Sequence, residues 1–161
     1  MSPGRIRLLK AATFALASVP LAKIGLDLAA GRLGANPIEA ILNRLGFWTL
    51  TLLVASLVPT PARAFLGLSW PVRLRRMLGL FAFAYATLHL VFYVAIDQGL
   101  DVPLLLEDVA KRKFMTVGFT AWLLLLPLAL TSTDAWVRRL GFARWKRLHR
   151  LVYAAALLGV L

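Results

Sequence analysis

The sequence contains no cysteine. That absence excludes disulfides, thiolate-held iron–sulfur clusters and covalent c-type haem attachment. Acidic residues are also scarce, seven against nineteen lysines and arginines, and there are only two histidines, His89 and His149. No glycine-rich phosphate loop is present, and no stretch between the apolar blocks exceeds about twenty residues. The chain therefore has no room for a nucleotide-binding domain of its own, and any electrons it handles must come from another protein or a lipid-soluble carrier.

What the chain does have is long apolar runs. It is 60% hydrophobic with a mean hydropathy of +0.77, and the apolar residues gather in blocks rather than at the spacing of a soluble core. A hydrocarbon layer needs about 20 apolar residues per helix. Four blocks meet or approach that length: roughly Leu8–Ala30, Gly46–Phe65, Met77–Ile96 and Phe114–Thr131. A fifth begins near Leu148 and is still apolar at Leu161. Its length reaches only about 21 Å at 1.5 Å per residue, so the sequence is expected to stop within a span. The first block carries Lys10, Lys23 and Asp27, and its charge-free centre, Ala11–Ala22, has the length of a signal-peptide core. No small-x-small cleavage site leads into a soluble domain, which favours an uncleaved span. The expected fold is an all-α integral membrane bundle of four full spans plus a truncated fifth.

Charge placement orients the bundle. One set of segments holds thirteen cations, including Arg5, Arg7, Lys10, Arg75 and Arg76, against the single acid Asp134; the alternate set holds six cations and six acids. The positive-inside rule makes the first set cytoplasmic, with the N-terminus inside. Membrane topology accounts for the whole of the net +12 charge, so no nucleic-acid partner is expected. On the outer side, Asn36-Pro37-Ile38-Glu39 reads as an N-cap, a first-turn proline and a capping-box acid. A short interfacial helix follows, with Ile38, Ile41, Leu42 and Leu45 on one face. Asp101 to Lys113 reads the same way, with Leu104, Leu105 and Val109 toward the membrane surface.

His89 stands inside a charge-free run, Leu78–Ile96. Ionisable groups within spans usually face a partner, a cofactor or a water path. The plain structural reading is a hydrogen bond to another helix. The cofactor reading draws on Gly79, Ala82 and Ala86, small residues at three- and four-residue spacing, with His89 next on the same face; such a stripe lets a helix or a flat ring approach closely. His89 lies thirteen residues past Arg76, so about 20 Å from the inner end, whereas His149 lies near the cytoplasmic surface in a basic run. A level difference of roughly 15–20 Å keeps the two imidazoles from sharing one haem iron. Arg75 and Arg76 sit at the inner end of the third span. They serve topology, and a guanidinium there also suits a haem propionate or flavin phosphate. The five tryptophans read as interface anchors or packing residues.

Several segments together resemble a known family. Arg75-Arg76-Met77-Leu78-Gly79-Leu80 with Tyr85-Ala86-Thr87-Leu88-His89-Leu90 is similar to the third span of the YedZ/MsrQ family, haem-binding membrane subunits within the ferric-reductase-like transmembrane superfamily. Leu33-Gly34-Ala35-Asn36-Pro37-Ile38-Glu39, Leu128-Ala129-Leu130-Thr131-Ser132-Thr133, and Arg139-Leu140-Gly141 with Trp145-Lys146-Arg147-Leu148-His149-Arg150 match in the same order. The resemblance implies one ferric-reductase-like domain over residues 1–161, truncated at its C-terminus, from a six-helix bundle in the bacterial inner membrane. It implies haem b, possible FMN, and electrons from quinol or a flavin reductase. It also implies delivery to a periplasmic molybdopterin-dependent methionine-sulfoxide reductase, which performs the catalytic reduction. His89 matches the third-span haem ligand and His149 the first fifth-span histidine, at different levels; the family's next histidine falls just past Leu161. At the inner level Arg76 stands where a histidine would pair with His149. Asn43-Arg44-Leu45-Gly46 departs from a frequent His-x-Thr-Gly, and Lys113 from a frequent proline.

Two other classes predict different features. A proton-coupled transporter calls for further intramembrane acids near His89, and none lie beside it. A non-redox scaffold for a periplasmic partner keeps full partner activity without His89. The orientation is open to reporter fusions: alkaline phosphatase joined after Gly34 or Gly99 is expected to be active, and after Gly67 or Gly141 inactive. The opposite pattern would invert the topology.

Overall fold

A computed structural model describes residues 2–68 and 70–160. The described residues form helices and connecting turns, with no strand among them. The elements are α1 (Pro3–Ala29), α2 (Pro37–Leu57), α3 (Pro59–Leu66), α4 (Arg75–Phe92), α5 (Val102–Lys111), α6 (Lys113–Leu130), α7 (Asp134–Leu140), α8 (Phe142–Leu148) and α9 (Leu151–Val160). A 3₁₀ turn, Pro71–Arg73, precedes α4, and a π-helical turn, Tyr93–Asp97, follows it. Four stretches are long and apolar enough to cross a membrane: Gly4–Ala29, Pro37–Leu66, Arg75–Asp97 and Lys113–Leu130. With leucines such as Leu16, Leu26 and Leu130 exposed on them, the chain is a multi-pass, all-α membrane protein, its apolar surface solvated by lipid. Some hydroxyls inside the spans donate to their own helix, Thr13 to the Leu9 carbonyl at 2.8 Å and Thr49 to that of Leu45 at 2.8 Å. No hydroxyl so bonded is left unpaired against hydrocarbon.

The chain divides into two compact units, Met1–Tyr85 and Ala86–Leu161. In the first, α1 carries Pro20 within its length, a residue that lacks an N–H and crowds the turn before it. The Tyr85 hydroxyl enters the ladder at that point. It accepts from the Leu21 N–H at 3.0 Å and donates to the Ala17 carbonyl at 2.7 Å, two groups that an unbroken helix pairs with each other. Tyr85 is 2% exposed, and Phe14 meets Phe81 edge-on at 5.2 Å on the same pair of helices. α1 is thus packed into its unit as an integral helix. At the other end of α1, Asp27 is buried and paired with Arg44 of α2 at 2.6 Å and with Arg32 at 3.2 Å.

In the second unit, α6 packs most extensively on α9. Ala121, Leu125 and Leu128 recur at helical spacing on α6 and are buried, as are Val152, Ala155 and Ala156 of α9. Small residues on α9 let the helices approach closely.

Three expected boundaries are corrected. The Asn36 helix is not a separate interfacial element: Asn36 caps it as expected, accepting from the Glu39 N–H at 3.2 Å, but it runs on as the first turns of α2. Ile41 and Leu45 are buried there because one apolar stripe continues through the junction. The second block does reach Leu66 within one span-length stretch, but it turns at Val58, where Pro59 starts a new helix after Leu57. The fifth segment begins at Leu151, because α8 ends at Leu148 and His149-Arg150 form the turn between them. α5 is found as expected, with Asp101 accepting from the Leu104 N–H at 3.0 Å. Leu105 and Val109 on its apolar face are half-buried, while Leu104 is exposed.

Replacing Tyr85 by Phe removes only the hydroxyl. Each backbone partner in hydrocarbon then loses a bond, so a loss of about 1–3 kcal/mol is expected in detergent unfolding titrations. A lipid-exposed change such as Leu16→Ala should cost far less. Equal costs would mean that the turn around Pro20 gains nothing from Tyr85.

Candidate haem-binding site

His89 sits in the fourth turn of α4 and is half-buried. Two positions earlier, Thr87 receives the indole N–H of Trp122 at 3.0 Å, which joins α4 to the middle of α6. Phe119 lies one turn away on α6 and stacks near-parallel with Trp122, ring centres 6.1 Å apart. Tyr93, one turn beyond His89 on the same face, donates its hydroxyl to Asp108 of α5 at 2.8 Å. Asp108 also pairs with Arg112 at 3.3 Å. The π-helical turn that begins at Tyr93 carries the Gln98 N–H to the Tyr93 carbonyl at 2.9 Å. Single π turns inside helices are frequent at functional sites.

The small-residue stripe beside His89 divides in use. Ala82 is wholly buried and Ala86 half-buried. A Cβ placed on Gly79 would meet nothing within 4 Å. Among the described residues no group of three or more His, Cys, Asp or Glu side chains could hold a bare metal ion. The donor set, a single imidazole among small and apolar neighbours, suits a macrocycle that brings its own four nitrogens and asks the protein only for axial ligands.

His149 is differently placed. It ends α8, and its Nε2 lies 3.1 Å from the Thr131 hydroxyl at the end of α6. That hydroxyl donates its one hydrogen to the Pro127 carbonyl at 2.6 Å, so toward His149 it acts as acceptor and His149 Nε2–H is the donor. Trp145 covers the imidazole face, ring centres 4.0 Å apart, and its indole N–H donates to the Thr131 carbonyl at 3.0 Å. Thr131 is therefore a hub that ties α8 and His149 to α6.

The two histidines are not brought together. Their neighbourhoods join α6 through Trp122 and Thr131, nine positions apart, or about 14 Å of helix. Arg75 is half-buried and donates from Nη1 to the Thr60 hydroxyl of α3 at 2.9 Å, while Arg76 is exposed. Sequence reasoning singled out His89, His149, Arg75 and Arg76 but missed Thr131, Tyr93 and Asp108. Thr131 stood within a recognised segment, yet its link to His149 depends on a turn that periodicity does not locate. Trp122 and Trp145, read as anchors or packing residues, each donate a specific hydrogen bond.

A double-mutant cycle isolates the Thr131–His149 contact. Thr131→Val and His149→Leu are expected to be non-additive by about 0.5–1.5 kcal/mol in unfolding titrations. Additive losses would mean that the bond contributes nothing.

Comparisons with known proteins bear on the family. The family model for the ferric reductase like transmembrane component matches residues 45–160. The protein-methionine-sulfoxide reductase haem-binding subunit MsrQ of Ralstonia nicotianae is 47% identical over 161 residues, covering 100% of this chain and 74% of the relative. The subunit of the same name from Rhodospirillum rubrum is 53% identical over 157 residues, 98% of this chain and 76% of its own length. That of Azospira oryzae is 50% identical over 159 residues, 99% of this chain and 68% of its own. No solved structure gives a significant match. With such identity along its whole length, and with a half-buried histidine in an apolar span, the chain belongs to the MsrQ family of ferric-reductase-like transmembrane proteins.

Proposed function

We propose that this chain is the haem-binding, electron-transferring membrane subunit of a methionine-sulfoxide reductase system. The observation that carries the reading is His89, an imidazole in a charge-free span with small neighbours, in a chain about half identical to subunits named as haem-binding. A b-type haem fits this reading, since none of these 161 residues is a cysteine that could attach the group covalently. Bound haem supplies a one-electron carrier whose potential follows its ligands, burial and nearby charge.

The chain's own residues bind and insulate. His89 would hold the haem iron at the outer level, and the apolar residues around it would exclude water. Arg75 and Arg76, at the inner end of α4, offer guanidinium groups to propionates or to a flavin phosphate, in keeping with a possible FMN. His149 belongs to the inner level, where ligation through Nε2 requires that its bond to Thr131 be given up. Residues 1–161 act as one functional domain in the bacterial inner membrane, N-terminus in the cytoplasm. Electrons arrive from quinol or a flavin reductase. They leave toward a periplasmic molybdopterin-dependent reductase, which carries out the catalytic step.

The full-length protein, reconstituted with haem, is expected to show a reducible b-type absorption spectrum. His89→Ala should abolish the outer-level signal while helicity and monodispersity are retained. A well-folded His89→Ala protein with an unchanged spectrum and potential would refute the assignment.

A further inference from the structure

We propose that α7 and α8 form a docking platform for the headgroups of anionic phospholipid. The inference rests on α6 crossing the bilayer and is independent of haem binding. Each of the two helices has seven residues, about 10 Å of rise, far too short to span. They pack on one another across Gly141, whose φ of 74° lies in the region that favours glycine. Between Asp134 and Arg150 the segment carries Arg138, Arg139, Arg144, Lys146, Arg147 and Arg150, all exposed. Asp134 is the one acid in that stretch.

Aromatic side chains accompany the cations. Phe142 is 66% exposed and Trp136 37%, and the Arg139 guanidinium lies over the Trp136 ring at 5.6 Å. Exposed cations beside exposed aromatic rings are the make-up of a segment that lies in the headgroup layer. Its height is fixed by a separate observation. Trp145 of α8 and the adjoining His149 are both bonded to Thr131, where α6 ends, so the platform is held at the level where a span leaves the hydrocarbon. Trp145 and His149 face inward to α6, and the charged residues of α8 remain exposed. The occupant that complements this surface is a layer of phosphate headgroups with net negative charge. Each cation near such a surface contributes roughly fivefold in attraction.

The test uses the full chain in nanodiscs of phosphatidylcholine with and without phosphatidylglycerol. Phosphatidylglycerol is expected to raise the thermal midpoint and to be enriched several-fold among lipids retained by the protein. The triple variant Arg144→Gln, Lys146→Gln, Arg147→Gln should lose most of both effects. Arg5→Gln, Arg7→Gln, Lys10→Gln removes equal charge elsewhere and should keep them. Equal midpoints of the wild-type protein in the two disc types would overturn the proposal, whether or not the variants fold. Equal losses in both triple variants would also overturn it, since only net charge would then matter. So would a full midpoint rise from inorganic phosphate in phosphatidylcholine discs, which would indicate a soluble-anion site.

Discussion

A backbone polar group in hydrocarbon has no water to turn to, so each break in a membrane helix must be repaired by protein. α1 contains Pro20, which cannot donate to the ladder, and the Tyr85 hydroxyl meets the adjoining turn, bonding both Leu21 and Ala17. The repair comes from a residue more than sixty positions away, on the helix that continues to His89. A local defect in one span thereby becomes a specific link to another. Burial of Tyr85, 2% exposed, leaves no water to compete for those bonds.

The C-terminal end of α6 follows the same logic. Thr131 closes α6 by donating to the Pro127 carbonyl, then receives His149 on its hydroxyl and Trp145 on its carbonyl. One short side chain thus ends a span, orients an imidazole and fastens α8. The two histidine neighbourhoods join α6 at separate heights, so the helix sets the spacing between levels through its rise.

Much of this organisation was legible in one dimension. The spans stand out because hydrocarbon demands a minimum apolar length, and the Asn36 cap because its partner Glu39 is three residues away. His89 was conspicuous because a lone imidazole in a charge-free run is costly. What escaped sequence reasoning depends on distant pairing or on where a turn falls. The continuity of the Asn36 helix with α2 was missed because an interfacial helix and the first turns of a span share one periodicity. Asp27 and Arg44 were countable as outer charges, yet their 2.6 Å pairing comes from two helices meeting. The use of Trp122 and Trp145 as hydrogen-bond donors likewise requires the partner helix to be in place.

The most direct test of haem-mediated electron delivery is an anaerobic reoxidation measurement. Full-length protein, reduced under argon, is mixed with the methionine-sulfoxide reductase of the same organism, and the reduced b-type absorption is followed. The expected result is a stable reduced spectrum until methionine sulfoxide is added, then reoxidation in proportion to sulfoxide consumed. Persistence of the reduced spectrum with active reductase and sulfoxide both present would contradict it.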